Sequence, residues 1–224
     1  MANMADPLKL GVLVSGSGSN LQSIIDNIEK GSLKASIQVV ISNNPDAFGI
    51  ARAQKHGLSA VILKHEDFNS REDFDLELIK ILKSNKVELV VLAGFMRILT
   101  PVFLKAFPQR IINIHPALLP SFPGTHGQKM AFEYGVKFSG CTVHFVDEGI
   151  DSGPIIIQSV VPVYDNDTEE SLAARILEQE HRIYPQAIQL IAENKIKIEG
   201  RKVHIKTVEK IPPVALYNPP LAGF

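Results

Sequence analysis

Five short apolar runs, rich in β-branched residues, alternate with amphipathic stretches along the first half of the chain. The runs cover residues 10–14, 37–41, 60–63, 89–92 and 111–114. Stretches with helical spacing lie between them at 20–30, 48–56 and 71–84. This βαβ alternation predicts an α/β fold, with a twisted, mostly parallel sheet and helices on both of its faces. Ligands of such sheets bind beyond the carboxyl ends of the strands.

The pattern of apolar residues changes in the second half of the chain. Two strand-like runs, 141–146 and 154–163, are joined by a Gly-containing loop and predict an antiparallel extension. Asp167 with Glu170 resembles a capping box that opens a long helix, and Pro185 should kink or split that helix. Residues 196–198 and 203–205 predict a hairpin at the C-terminal end. We therefore expect one domain over 1–205 and a Pro-rich tail over 206–224.

Composition limits the classes of partner. The 224 residues carry 23 Lys and Arg against 24 Asp and Glu. The composition therefore shows no excess of positive charge that would indicate binding to nucleic acid or to an anionic membrane. No apolar stretch approaches the roughly 20 residues needed to span a bilayer, and the start of the chain lacks a signal pattern. A single cysteine, Cys141, suits a reducing compartment. We expect a cytoplasmic protein, monomeric or homodimeric, with small-molecule partners.

A glycine-containing loop, Ser-Gly-Ser-Gly-Ser-Asn at 15–20, follows the first predicted strand and opens a helix. Its amide hydrogens could hold a phosphate, although a tight turn with Ser or Asn capping explains the pattern as well. The loop lacks the Gly-Lys-Ser/Thr of a Walker motif. Leu21 stands at the third glycine of a dinucleotide fingerprint, and no acidic residue ends the second strand. The pattern therefore argues against NAD.

Asn113 and His115 stand two positions apart at the end of a predicted strand, so both side chains lie on one face. An amide and a protonated imidazole can stabilise an oxyanion on a carbonyl carbon. Asp151, between two glycines, is the best candidate for the carboxylate that charges His115. The alternative is a core histidine that donates to a backbone carbonyl.

No motif for a covalent acyl intermediate is present, which favours direct attack by a substrate nucleophile. His126 and His144 could join His115 and Asp151 around a metal ion, but the sequence has no tight ligand spacing such as His-Glu-x-x-His. We therefore expect no metal.

Four motifs occur together in one order: Ser-Gly-Ser-Gly-Ser-Asn-Leu-Gln at 15–22, Ala-Gly-Phe-Met-Arg-Ile-Leu at 93–99, Asn-Ile-His-Pro-Ala-Leu-Leu-Pro at 113–120 and Asp-Glu-Gly-Ile-Asp-Ser-Gly-Pro at 147–154. Over about residues 8–205 the sequence strongly resembles the phosphoribosylglycinamide formyltransferases. The resemblance implies transfer of a formyl group from 10-formyltetrahydrofolate, as co-substrate, to the amine of 5-phosphoribosylglycinamide in purine biosynthesis.

The resemblance also assigns roles to residues. Asn113 and His115 would stabilise the oxyanion, and Asp151 would keep His115 protonated. The phosphoribosylglycinamide would contact Gly18, Ser19, Asn20 and Glu180, and the folate would contact Arg71, Met96, Arg97, Ile98, Leu99 and Asn113. Without the resemblance, Glu180 and Arg71 would be ordinary helix-surface charges. His144 would either orient the 147–153 loop or have a structural role.

Two further details follow from the likeness. The chain has Ala117 where the family usually has serine, which removes one hydroxyl near the site. The family pattern also implies a cis peptide before Pro120.

Other readings stay open. A methionyl-tRNA formyltransferase would need a further C-terminal domain and a formyltetrahydrofolate hydrolase an N-terminal one, and this length leaves room for neither. A non-catalytic phosphate-binding module is the alternative from another class.

Overall fold

The computed structural model describes residues 6–206 together with residues 216 and 218. Over this part of the chain, nine strands and six α-helices follow one another. In chain order they are β1 (Leu8–Val14), α1 (Ser19–Glu29), β2 (Ala35–Ser42), α2 (Phe48–Lys55), β3 (Ala60–Ile62), α3 (Arg71–Ser84), β4 (Leu89–Leu92), α4 (Pro101–Ala106), β5 (Ile111–His115), α5 (Gly127–Tyr134), β6 (Phe138–Phe145), β7 (Ile155–Pro162), α6 (Glu169–Ala192), β8 (Ile196–Glu199) and β9 (Lys202–Ile205).

Seven of the strands form one sheet in the order β3-β2-β1-β4-β5-β6-β7. The first five of these pair in parallel, whereas β6 runs antiparallel to both β5 and β7. Strands β8 and β9 form a separate antiparallel hairpin. The predicted α/β fold with an antiparallel extension is confirmed. The chain order reverses beside β1, so the crevice for ligands lies beyond the carboxyl ends of β1 and β4.

Two apolar clusters cover the two faces of the sheet. Val12 lies in the cluster under α1 and α6, while its neighbour Leu13 lies in the cluster under α3 and α4. Both side chains are fully buried. Consecutive buried residues are the mark of a parallel strand with helices on both faces, and each such side chain stabilises the fold by about 1.5–3 kcal/mol.

The start of α6 differs from the sequence prediction by one residue. Thr168 caps the helix by accepting the Ser171 amide at 3.2 Å, and the Ser171 hydroxyl accepts the Thr168 amide at 2.9 Å. The predicted box of Asp167 with Glu170 is therefore wrong, because a serine hydroxyl takes the part usually played by Glu or Gln. Asp167 instead pairs with Arg175 at 2.7 Å.

Pro185 does not split α6, which continues over 24 residues from Glu169 to Ala192. Proline has no amide hydrogen, so the carbonyl of His181, four residues earlier, loses its helical partner. The Ser23 hydroxyl donates to that carbonyl at 2.7 Å. Packing against the sheet also holds the helix, because Tyr184 is fully buried.

The Tyr184 hydroxyl lies against two neighbouring central strands. It is 2.8 Å from the carbonyl of Leu92 in β4 and 3.2 Å from that of Ile112 in β5. These residues directly precede the loop after β4 and Asn113, respectively. Helix α6 is thus fixed to the edge of the sheet where the candidate site lies.

Two short helices, α4 with six residues and α5 with eight, have no counterpart in the sequence prediction. The predicted tail lies outside the described residues apart from 206, 216 and 218. Within the described part of the chain, no helix is long and apolar enough to cross a membrane.

Candidate active site

Strand β5 presents Asn113 and His115 on one face, at the carboxyl edge of the sheet. Asn113 pairs with His144 of β6 in the ladder, and His115 pairs with Thr142. His115 is 3% exposed, whereas Asn113 is partly open. The predicted spacing therefore places an amide at the surface of the crevice and an imidazole just below it.

The loop after β5 fixes the orientation of the His115 ring. Phe122 has a left-handed backbone with φ of 54°, and its carbonyl lies 2.8 Å from Nε2 of His115. A carbonyl only accepts, so Nε2 donates the hydrogen of that bond. The Leu119–Pro120 peptide in this loop is cis, as the resemblance implied. The sequence did not identify the Phe122 carbonyl, because a backbone contact leaves no residue-type signal.

Asp151 is the centre of the candidate site. One carboxylate oxygen, Oδ1, lies 3.3 Å from Nδ2 of Asn113 and 3.5 Å from Nε2 of His144. The other, Oδ2, lies 3.3 Å from Nδ1 of His115 and accepts the Gly124 amide at 2.8 Å. Asn113, His115 and Asp151, separated by up to 38 positions, are therefore brought together as predicted.

His144 completes this group. Its Nδ1 donates to the carbonyl of Phe145 at 2.9 Å, and its Nε2 lies 3.3 Å from Nδ2 of Asn113. Of the two roles left open, orienting the site is the one that these contacts fit, because His144 touches both Asn113 and Asp151.

Burial dominates the electrostatics of His115. It lowers the pKa of His115, and the Asp151 carboxylate and the Phe122 carbonyl oppose it only in part. Burial raises the pKa of Asp151, but hydrogen bonds from His144 and the Gly124 amide and the nearby imidazoles outweigh it and set that pKa below its usual value. The Asp151 carboxylate thus favours the protonated form of His115 while burial disfavours it, and the protonation of His115 in the free site stays a prediction.

The glycine loop keeps its amides available. Gly18 has φ of 67°, and a Cβ on it would lie 2.6 Å from the Cα of Gly49, so only glycine fits. Helix α1 begins at Ser19, and no side chain in the described residues caps its N-terminus. The first amides of a helix lack partners within the helix. The loop therefore remains suited to an anion.

Asn20 and Glu180 meet below this loop. Nδ2 of Asn20 donates to Oε2 of Glu180 at 2.7 Å, and Glu180 is only 5% exposed. Burial raises the pKa of Glu180. The reading of Glu180 as an exposed helix charge is thus wrong. The buried Oδ1 of Asn20 has no partner among the described residues and can accept a donor from a ligand.

The residues expected to hold the folate are not equally accessible. Met96 is 72% and Ile98 58% exposed, in the loop after β4, and such exposed apolar side chains suit a flat aromatic ligand. Leu99 differs, because its side chain belongs to the buried cluster under α3. Arg97 lies over the ring of Phe74, 5.4 Å from its centroid. Arg71 is exposed at the start of α3.

Two polar side chains that sequence reasoning missed hold the loops of the site. Oγ of Ser15 accepts the Met96 amide at 2.8 Å, which joins the glycine loop to the loop after β4. The Thr142 hydroxyl donates to the carbonyl of Ala117 at 2.7 Å and accepts the Leu119 amide at 3.1 Å. Ala117 itself is fully buried. Loop anchors of this kind depend on pairings that a single sequence does not reveal.

Comparison with known proteins places this site in a family. The family model described as formyl transferase matches residues 8–188, which include every catalytic candidate. The chain belongs to the formyl transferase family. Phosphoribosylglycinamide formyltransferase of Escherichia coli (strain K12) is 42% identical over 206 residues, which cover 92% of this chain and 97% of that protein.

Two further proteins are similar to this formyl transferase, and one of them is much longer than this chain. The trifunctional purine biosynthetic protein adenosine-3 of Drosophila melanogaster is 47% identical over 185 residues, which cover 82% of this chain but only 14% of that protein. The crystal structure of glycinamide ribonucleotide transformylase 1 from Symbiobacterium toebii has a TM-score of 0.91 at 49% identity, covering 92% of this chain and 98% of that one. The two chains therefore share one fold over nearly their whole length.

Proposed function

We propose that this formyl transferase moves the formyl group of 10-formyltetrahydrofolate to the amine of 5-phosphoribosylglycinamide, giving the formylated amide and tetrahydrofolate. One observation carries the proposal: the amide of Asn113 and the imidazole of His115 each lie 3.3 Å from the carboxylate of Asp151, at the mouth of the crevice. Such a group combines oxyanion stabilisation with proton transfer, the two requirements of amine attack on a formyl carbon.

Asn113 and His115 act on the formyl oxygen. As the amine nitrogen bonds to the formyl carbon, the oxygen gains negative charge, and the Asn113 amide donates to it. The present contacts of Asn113, at 3.3 Å to both Asp151 and His144, are long, and catalytic hydrogen bonds often shorten only in the complex. Asn113 can therefore exchange one of them for the substrate.

Asp151 and His115 move the proton. The attacking nitrogen becomes cationic and must lose one hydrogen, and the imidazole of His115 beside the Asp151 carboxylate accepts it. His115 then carries the positive charge, which stabilises the oxyanion beside it. When the oxyanion collapses, the bond between the formyl carbon and the folate nitrogen breaks, and the proton passes to that nitrogen. No covalent bond to the protein forms.

The two substrates occupy the two sides of this group. The phosphate would bind the uncapped amides at Gly18, Ser19 and Asn20, and the ribose would reach Glu180. The folate would lie along Met96 and Ile98, with Arg71 and Arg97 near its carboxylates. Among the described residues, no group of three or more His, Cys, Asp or Glu side chains could hold a metal ion.

The test is turnover of purified protein with both substrates. We expect tetrahydrofolate and formylated product to appear in a one-to-one ratio. Release of formate that does not depend on the amine would instead mean that water is the acceptor, and absence of both products would refute the assignment.

Substitutions test the assigned residues. Asn113→Ala and His115→Ala should each lower kcat by about 10²- to 10³-fold, the usual effect of losing one oxyanion donor. His204→Ala is the matched control, because His204 lies on the surface of β9 and Glu199, at 3.4 Å, is its ion-pair partner among residues 6–206, 216 and 218. Full activity of His115→Ala would exclude the role given to His115.

Two aspects stay predictions. The assembly is expected to be a monomer or a homodimer, and the compartment is expected to be the cytoplasm. Size-exclusion chromatography with light scattering measures the first.

A further inference from the structure

Asp75, on α3, is a buried carboxylate that the proposed reaction does not use. The residue is 2% exposed, and its Oδ2 accepts the backbone amide of Thr100 at 2.7 Å. Burial raises the pKa of Asp75, and the hydrogen bonds to Thr100 and the charge of Arg97 oppose that effect only in part. Carboxylates are rarely buried unless a partner compensates them, so the Thr100 amide is the contact that explains the position of Asp75.

The Thr100 amide marks the end of the loop after β4. Thr100 is the last residue before α4. Towards the start of this loop, the Met96 amide donates to Oγ of Ser15 at 2.8 Å. The exposed side chain of Ile98 therefore lies between two fixed points, one beside β1 and the other on α3.

Asp75 also lies one turn after Arg71 on the same helix. Residues four apart lie on one side of a helix, about 6 Å from each other along its axis. Arg71 is exposed, so α3 presents a cation at its start and holds the loop one turn later. Phe74, next to Asp75, contacts the same loop, since the Arg97 guanidinium lies 5.4 Å from its ring centroid. The distance from Arg71 to the loop after β4 therefore depends on this stretch of α3.

We propose that Asp75 is a positioning residue for the folate, which holds the loop after β4 at the distance from Arg71 that a pterin with a glutamate tail spans. This inference rests on the proposed function, in which the folate lies along Met96 and Ile98 with Arg71 near its carboxylates. A ligand held at two ends gains from the second contact only when the spacing of the contacts matches its own length. Asp75 is buried, so it acts through the loop and determines how much the glutamate contributes to binding.

The experiment compares kcat/KM for 10-formyltetrahydrofolate and for 10-formyltetrahydropteroate, which lacks the glutamate. We expect Asp75→Ala to lower the ratio of the two values by roughly 5- to 30-fold, because the tail no longer meets Arg71 at the right distance. KM for 5-phosphoribosylglycinamide should stay within about twofold of the parent value. Asp73→Ala is the matched control, because Asp73 is exposed on the same helix and accepts from the Ser70 hydroxyl at 2.8 Å.

A general loss of structure is the competing explanation, and it would lower kcat/KM for both pterins alike. Asp75→Asn keeps an oxygen that can accept the Thr100 amide, so its ratio should stay within about threefold of the parent value. In an Arg71→Gln background, adding Asp75→Ala should leave the ratio unchanged, because no contact with the tail remains to be misplaced. An unchanged ratio in Asp75→Ala, an equal loss in Asp75→Asn, or a further loss in the double variant would each overturn the inference.

Calorimetric titration with tetrahydrofolate and tetrahydropteroate separates this inference from the proposed function. If the parent shows no turnover but binds tetrahydrofolate about fivefold or more tightly than tetrahydropteroate, and Asp75→Ala loses that preference, the positioning role stands and the proposed reaction fails. If the parent turns over its substrates and Asp75→Ala keeps the full preference, the role is refuted and the proposed function stands. Equal binding of the two pterins by the parent also refutes the role. Thermal melting confirms that each variant is folded.

Discussion

Replacing Asp151 by asparagine tests the electrostatic core of the mechanism with little change of shape. Asp151 has a left-handed backbone with φ of 49°, which asparagine tolerates as well as aspartate. The amide oxygen of asparagine can still accept from Gly124. The change therefore removes the charge beside His115 and leaves the loop in place.

The distance between the two groups sets the size of the effect. At 3.3 Å, opposite unit charges attract by about 1 kcal/mol in water and by about 5 kcal/mol at an effective dielectric constant of 20. The Asp151 side chain is 14% exposed, and its Oδ2 is shared with an amide. We therefore expect about 1–3 kcal/mol, which makes the His115 cation roughly 5- to 150-fold less populated at a given pH.

The assay is the titration of His115 by NMR in ¹³C-labelled histidine, together with the pH dependence of kcat. Because Asp151 raises the pKa of His115 against the effect of burial, its loss should lower that pKa further. The variant should also lose activity by a factor in the same range. Asp147→Asn is the control, since Asp147 lies in the same loop but binds Ser152 at 2.6 Å instead of a histidine.

An unchanged or higher titration midpoint for His115 in Asp151→Asn would refute the reasoning. So would a variant with full kcat across the pH range, because His115 could not then depend on the neighbouring carboxylate. Equal losses in Asp151→Asn and Asp147→Asn would attribute the effect to the loop rather than to the charge.

Three further predictions concern stability and the glycine loop. Tyr184→Phe removes the hydroxyl that lies against two strand carbonyls, and urea denaturation should show a loss of about 1–2 kcal/mol in the free energy of unfolding; no loss would contradict that contact. The hydrogen bonds from Arg175 hold the pKa of Asp167 in the folded protein well below its usual range. The ion pair therefore stabilises the fold fully above about pH 4, and this stabilisation is lost as the pH falls towards the lowered pKa of Asp167. The destabilisation by Asp167→Asn should therefore shrink as urea curves are taken below pH 4, and a constant difference would contradict the ion pair. Gly18→Ala places an L-residue in the left-handed backbone region and pushes its Cβ against Gly49. Steady-state kinetics should therefore show the KM for the phosphorylated substrate raised by roughly 5- to 30-fold. An unchanged KM would contradict phosphate binding at this loop.

Patterns that depend on one strand or helix were predictable from the sequence. The spacing of Asn113 and His115 fixed their shared face, because a strand alternates its side chains. The glycine loop was recognisable for a similar reason, since Gly18 meets a local requirement for positive φ. The parallel pairing of the first five strands of the sheet also followed from the βαβ alternation.

Features that depend on long-range packing were not predictable. The pKa of His115 is one example, because the sequence shows the carboxylate of Asp151, which raises it, but not the burial of the imidazole, which lowers it. The cap of α6 is another, because Thr168 and Ser171 compete with Asp167 and Glu170 for the same role, and the Arg175 ion pair decides between them. Backbone contacts such as the Phe122 carbonyl leave no trace in residue types.

The order of the strands also sets the distance between the two ends of the candidate site. The glycine loop follows β1 and Asn113 lies in β5, two residues before that strand ends, with β4 between β1 and β5. Two steps of about 4.8 Å separate the outer strands of this trio, so the anchoring loop and the reacting centre stand about 10 Å apart at the edge of the sheet. A substrate must be long enough to span that gap. Molecules with the same reactive amine but a shorter spacer would bind at one end and never reach the other.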